Sequence, residues 1–313
     1  MPILTPTHIA NRALQRVGAT RIADGALLTE DSKNASEIRS CYDILRRAEL
    51  RRNVWRFAIR TVALRPFDDN SKIVTFGTYA AGTTYVLNDV VTGTDGVVYR
   101  SLAAGNIGNT PASSPSKWEG YFGSAVAHAH DTTKTYYAGE LVHLSSVLYM
   151  SKISANADLP PTANWLTMTT APTLSATNFI YPIGAGPSSQ TGTKKTYQLP
   201  VGFLREAPQD PKNSSSRNDW TNEGRYIVTD DTGVILYRFV TDVLDVDMCD
   251  PLFVEGFASR IAFEICEPLT QSTGKIGQIA SEYGTFMGEA RIVNGIETGS
   301  VEAPIDDYIS IRA

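Results

Sequence analysis

The sequence predicts an α+β protein, and three observations predict it. Helical periodicity with capping signals occupies both ends of the chain. A middle stretch, roughly 70–172, is rich in Gly, Thr, Ser and Pro and carries only strand-and-turn patterning. Within that stretch one short β-pattern occurs twice. The expected architecture is a helical bundle core with a β-hairpin or small sheet, interrupted by a two-unit all-β insertion and ending in an extended C-terminal arm. The implied boundaries are 1–69 for the N-terminal helical part, 70–122 and 123–172 for the two β-units, 173–249 for a β-rich part of the core, 250–297 for C-terminal helices and 298–313 for the arm.

The first helix opens at Thr5-Pro6, an N-cap followed by proline at the first helical position. Ile9, Ala13, Leu14 and Val17 recur at helical spacing, and Gly18 stops the run. A second helix is expected from near Thr29, with Glu30 and Asp31 in the first turn, where the helix dipole favours acids. Ile38, Tyr42, Leu45, Ala48 and Trp55 form its apolar stripe, and it is expected to end near Arg60. Its other faces are basic: "RRAELRRNVWRFAIR" supplies Arg46, Arg47, Arg51, Arg52, Arg56 and Arg60. Arg52, Arg56 and Arg60, at i, i+4 and i+8, line one side. Two readings stand, a solvated face balanced by Asp43 and Glu49 or a surface for an acidic partner, protein or phosphate backbone.

The repeat lies in "TTYVLNDVVTGTDGVVYRS" (Thr83–Ser101) and "KTYYAGELVHLSSVLYMS" (Lys134–Ser151). Both read Tyr, three residues, an acid, two aliphatics, a turn, two aliphatics, Tyr, any residue, Ser. The first continues through Asn109, Pro111 and Trp118, the second through Asp158, Pro160 and Trp165. The offset is 51 at the first Tyr, 50 at the second and 47 at the Trp, so small loop indels separate true repeats. Each unit can bury only a small core, for which Tyr85, Tyr99, Trp118, Tyr136, Tyr149 and Trp165 are the candidates.

Downstream, "RYIVTDDTGVILYRFV" alternates on both sides of an Asp-Thr-Gly turn and reads as a hairpin. Asp250-Pro251 is another cap-plus-proline start. Phe253, Phe257, Ile261 and Ile265 recur every four residues, with Ala258, Ala262 and Cys266 beside them, until Pro268. A last helix carries Ile276, Ile279, Tyr283, Phe286, Met287, Ala290 and Val293. The arm, "SVEAPIDDYISIRA", holds Ile305, Tyr308, Ile309, Ile311 and Arg312, too few residues to fold without a surface to lie on.

Chemistry is sparse. A 42% hydrophobic and 19% charged composition is that of a folded globular protein. The net charge of −5 argues against a sequence-reading DNA binder, though not against a protein past which DNA slides. Cys41, Cys249 and Cys266 read as reduced thiols, and with no signal or membrane run the chain is expected to be soluble and made in a cytoplasm. His128-Ala-His130-Asp131 is a weak metal pattern without a third ligand. "GAGPSSQTGTKK" misses the spacing of a phosphate loop. Asp68-Asp69, Asp230-Asp231 and Asp306-Asp307 read as solvated or capping pairs. No catalytic residue, metal or cofactor is expected, and the protein is read as not an enzyme.

The outer sections resemble the head-to-tail adaptor of short-tailed phages, the tail tubular protein A family. The residues that carry this are "ALQRVGATRIADGALLTEDSKNASEIRSCYDILRRAELRRNVWRFAIRTVALRP", "YQLPVGFLRE", "EGRYIVTDDTGVILYRFVTDVLDVDMCDPLFVEGFASRIAFEICEPLT" and the last helix with the ending "DDYISIRA". The resemblance covers about 200 residues as a distributed pattern rather than one motif. It implies a virion structural protein in the neck or tail, assembled in the host cytoplasm. Such a protein forms a homo-oligomeric ring, twelvefold in relatives, joining the portal protein to the tail nozzle protein while genomic DNA passes without sequence-specific contact. It also implies that the basic helix and the arm meet the portal or a neighbouring subunit. The inserted units resemble chitin-binding type carbohydrate modules, but the positions where such modules carry stacking rings hold Ala103-Ala104 and Ile153-Ser154. The insertion is therefore expected to contact tail fibres, capsid or neighbouring subunits. The alternative is a virion-associated glycan-binding protein, or a polysaccharide or cell-wall hydrolase.

Overall fold

The computed structural model describes residues 4–168, 173–176, 194–208, 220–231 and 233–298. The expected arm and most of the "GAGPSSQTGTKK" loop lie outside these residues. The class is α+β, with four α-helices and four sheets among the described residues. No helix among them is long and apolar enough to cross a membrane. The chain divides between Phe57 and Ala58 and again between Asp245 and Val246, giving a helical unit from the two outer segments and a β unit from the middle.

The helical unit holds α1 (Pro6–Val17), α2 (Lys33–Arg52), α3 (Pro251–Thr270) and α4 (Thr273–Thr298). Helix α3 packs against the other three and buries Phe253, Phe257, Ile261 and Ile265. Tyr42 of α2 meets Phe257 edge-on with ring centres 5.3 Å apart, and Trp55 meets Phe253 at 5.0 Å. Thr5 caps α1 in a box completed by His8, and Gly18 ends it at φ 80°. Asp250 caps α3, accepting the N–H groups of Leu252 and Phe253 at 2.8 and 3.2 Å. Gly256 of α3 packs against Met287 of α4. A Cβ there would lie 2.9 Å from Met287 Cγ, so only glycine fits without repacking.

Three expectations for this unit change. Helix α2 begins at the Ser32 cap, not near Thr29, because Glu30 turns away to accept from the Ala23 N–H and the Ser32 hydroxyl. It ends at Arg52, not near Arg60. Asn53 is extended and the Trp55 indole folds back to donate to the Glu49 carbonyl at 3.0 Å, satisfying a last-turn acceptor and turning the chain. Its buried stripe includes Arg46 and Glu49, while Ala48 is exposed. Helix α3 runs two residues past Pro268, where a missing N–H costs only one bond in the final turn.

The β unit starts with β1 (Ile59–Leu64), within the segment assigned above to the helical part. Its further strands are β2 (Lys72–Thr75), β3 (Val90–Thr92), β4 (Val98–Ser101), β5 (Trp118–Gly120), β6 (Val126–Ala129), β7 (Leu141–Leu144), β8 (Val147–Ser151), β9 (Trp165–Thr167), β10 (Thr173–Ala176), β11 (Lys195–Gln198), β12 (Phe203–Glu206), β13 (Thr221–Glu223), β14 (Tyr226–Thr229) and β15 (Ile235–Thr241). The first repeat forms the sheet β3-β4-β5. The second merges into β10-β2-β6-β7-β8-β9, so β10 belongs with the middle section and not with the part that follows it.

The expected hairpin is not one. Strand β14 lies between β11 and β13, whereas β15 lies between β1 and β12. The turn passes the chain from one three-stranded sheet to the other, and both sheets bury side chains in one core of Leu64, Tyr197, Ile227, Tyr237 and Phe239. Two facing sheets require the same in-out alternation as a hairpin, so the pattern is common to both.

Candidate functional site

The two repeats share a set of equivalent hydrogen bonds. Tyr85 and Tyr136 each form an isolated antiparallel bridge, to Asn106 and Asn156. Each tyrosine hydroxyl accepts a backbone N–H, from Ala80 at 2.7 Å and from Asp131 at 2.8 Å. The acids after them, Asp89 and Glu140, accept the N–H groups of Val86 and Tyr137. Asn106 donates to Ser101 Oγ at 3.2 Å and Asn156 to Ser151 Oγ at 3.0 Å. The Trp118 and Trp165 indoles donate to the carbonyls of Asn109 and Asp158 at 2.8 and 2.9 Å. These shared bonds account for the residue types of the motif: each polar member satisfies a buried partner.

All six repeat aromatics are buried. Tyr85 meets Trp118 at 5.1 Å and Tyr136 meets Trp165 at 5.4 Å, both edge-on. A third ring completes each cluster, Tyr79 in the first and His130 in the second, stacked on the tyrosine at 5.7 and 5.4 Å. The equivalence extends to the backbone, where the Tyr79 N–H donates to Thr92 and the His130 N–H to His143. Sequence comparison missed this pair because the ring changes type. At the positions where stacking rings would be needed, Ile153 is exposed and Ala103 and Ala104 have no ring at all.

His130 is thus a packing ring whose Nε2 lies 3.1 Å from the Asp158 carbonyl. Its neighbour in the candidate metal pattern, His128, lies on β6 and is buried, with Nδ1 2.9 Å from Ser71 Oγ and 3.8 Å from an Asp68 carboxylate oxygen. Asp68, Ser71 and His128 do not make a nucleophilic relay. Both the hydroxyl and the carboxylate face the same ring nitrogen, whereas a relay needs one at each nitrogen. No metal-holding group of His, Cys, Asp or Glu occurs among the described residues. His143 Nε2 lies 2.8 Å from the Asn70 carbonyl, so two histidines on adjacent strands staple the turn between β1 and β2.

The six arginines expected on one long helix are dispersed. Arg46 is buried and pairs with Asp43 at 3.2 Å. Arg47 and Arg51 are exposed on α2. Arg52 reaches the buried Glu49 at 3.4 Å and the Tyr283 hydroxyl. That hydroxyl also donates to Glu49 at 2.8 Å, joining α2 to α4. Arg56 is exposed beyond the helix, its N–H donating to Asn294. Arg60 lies in the β unit, over the Phe122 ring at 5.4 Å, as Arg100 is at 5.5 Å, and burial lowers its pKa. The i, i+4, i+8 face of Arg52, Arg56 and Arg60 does not form, because the helix ends before its second member. The arm residues Ile305, Tyr308, Ile309, Ile311 and Arg312 lie outside the described residues. No family model matches the chain, and no curated protein matches it.

Proposed function

We propose that the protein is a structural head-to-tail adaptor of a short-tailed phage, a subunit of a ring that joins the portal protein to the tail nozzle and lets genomic DNA pass. One observation carries this reading. The helices within the resembling stretches, far apart in sequence, pack as one four-helix unit around α3, while the strands of those stretches belong to the β unit. The net charge of −5 fits a protein that DNA slides past rather than grips. The duplicated β-units, each with its own aromatic cluster, are for contact with tail fibres, capsid or neighbouring subunits. Burial of the six aromatics shared by the repeats supports contact with protein over the glycan-binding alternative, for which the exposed Tyr137 is the remaining ring in these units.

The test is co-sedimentation of the full chain with its portal ring, with particle mass determined before and after mixing. A stoichiometric ring formed on the portal is the expected outcome, and a chain truncated after residue 298 should keep its helical circular dichroism yet fail to attach. Absence of binding by folded full-length protein would overturn the adaptor reading.

A further inference from the structure

The turn between β1 and β2, the end of β6, the second repeat and the start of β11 enclose a cleft of about 340 Å³ in the β unit. Besides the Tyr136 phenol, five ionisable side chains line it: Arg65, Asp68, His128, Lys134 and Lys195. Three are already engaged. Arg65 gives Nε and Nη2 to the buried Glu140 at 2.6 and 3.2 Å and lies over the Tyr136 ring at 4.7 Å. Lys134 is 3.3 Å from Asp131. Asp68 accepts the Ser71 hydroxyl at 2.9 Å and the Asn70 N–H at 3.0 Å.

Lys195 has no acid partner among the described residues, and Arg65 Nη1 makes no hydrogen bond there. His128 has a side chain only 10% exposed, with Nδ1 taken by Ser71. An ionised carboxylate only accepts, so the Ser71 proton goes to Asp68 and the Ser71 oxygen accepts from His128 Nδ1–H. Nε2 is then the free nitrogen: a lone pair on the neutral ring and a donor on the protonated one.

We infer that this cleft binds a single oxyanion of the phosphate or sulfate class, held by Lys195 Nζ, Arg65 Nη1 and protonated His128 Nε2. This goes beyond the adaptor reading and does not depend on it. Because His128 donates only when protonated, the anion binds more tightly as pH falls.

Sulfate is the probe, since its charge is constant between about pH 5.5 and about pH 8 while the imidazole changes. The chain has only four histidines, so their ring signals in proton–carbon NMR of the full chain are separable. Sodium sulfate at constant ionic strength should shift the His128 ring saturably, more tightly at the lower pH. Lys195→Met should weaken the binding by about tenfold without changing circular dichroism, and His128→Gln should abolish its pH dependence. No saturable shift at low pH, or equal binding by Lys195→Met, would overturn the site. Inorganic phosphate and methyl phosphate then separate the sources: equal binding assigns the cleft to an ester-borne group, and exclusion of the methyl ester assigns it to the free ion.

Discussion

Ala155 and Gly105 hold the same place in the two repeats and the same left-handed backbone, at φ 57° and 67°. Nothing lies within 4 Å of a Cβ built on Gly105, so the difference between the two is backbone strain alone. Ala155→Gly should therefore stabilise the protein by about 0.5–1 kcal/mol, and Gly105→Ala should destabilise it by about 1 kcal/mol. Urea titration of both variants checks the pair, and a loss of stability in Ala155→Gly would contradict the strain argument. Asp68 supplies the pH dependence at this scale. Burial works against its carboxylate, but His128, Ser71 and the Asn70 N–H outweigh burial and lower its pKa from 3.8 to about 2. A lowered carboxyl pKa contributes stability that is present above about pH 4 and is lost as pH falls towards 2. Asp68→Asn should flatten the acid side of the stability profile over that window, measured by thermal melts in a pH series.

Helix α4 contrasts two kinds of glycine. Gly284 and Gly288 sit inside the helix with open space over their Cβ positions, so alanine at either should stabilise by about 1 kcal/mol through backbone entropy. Gly256 of α3 faces Met287 of the same helix pair at contact distance, so Gly256→Ala should destabilise by about 1–3 kcal/mol through overpacking. Urea midpoints moving in opposite directions confirm the assignment, and a shared direction refutes it. The starts of α1 and α3 were legible because cap and proline act within one turn. The end of α2 was not. Its arginines continue the helical spacing, and the event that stops it, capture of the Glu49 carbonyl by the Trp55 indole, leaves no periodic trace.

At the scale of the molecule, the β unit is one continuous segment whose aromatic and aliphatic clusters are complete within it. Residues 58–245 expressed alone should give a β-type circular dichroism spectrum and a sigmoidal urea transition. A spectrum of unfolded chain would show that the unit depends on the helices. The helical unit is built from both ends of the chain and cannot be excised in the same way.

Local chemistry was determined by the sequence itself: caps, helical stripes, the α+β class and the duplication, each of which acts between neighbours or repeats at a readable offset. Three-dimensional partnership was decided only in the fold. Strands β14 and β15 alternate as a hairpin would, yet each pairs elsewhere, because facing sheets and paired strands impose the same alternation. His130 became the third ring of a cluster, and His128 part of a cleft, through contacts with residues distant in sequence. Periodicity reports which side of an element is apolar; which surface meets that side depends on packing across the whole chain.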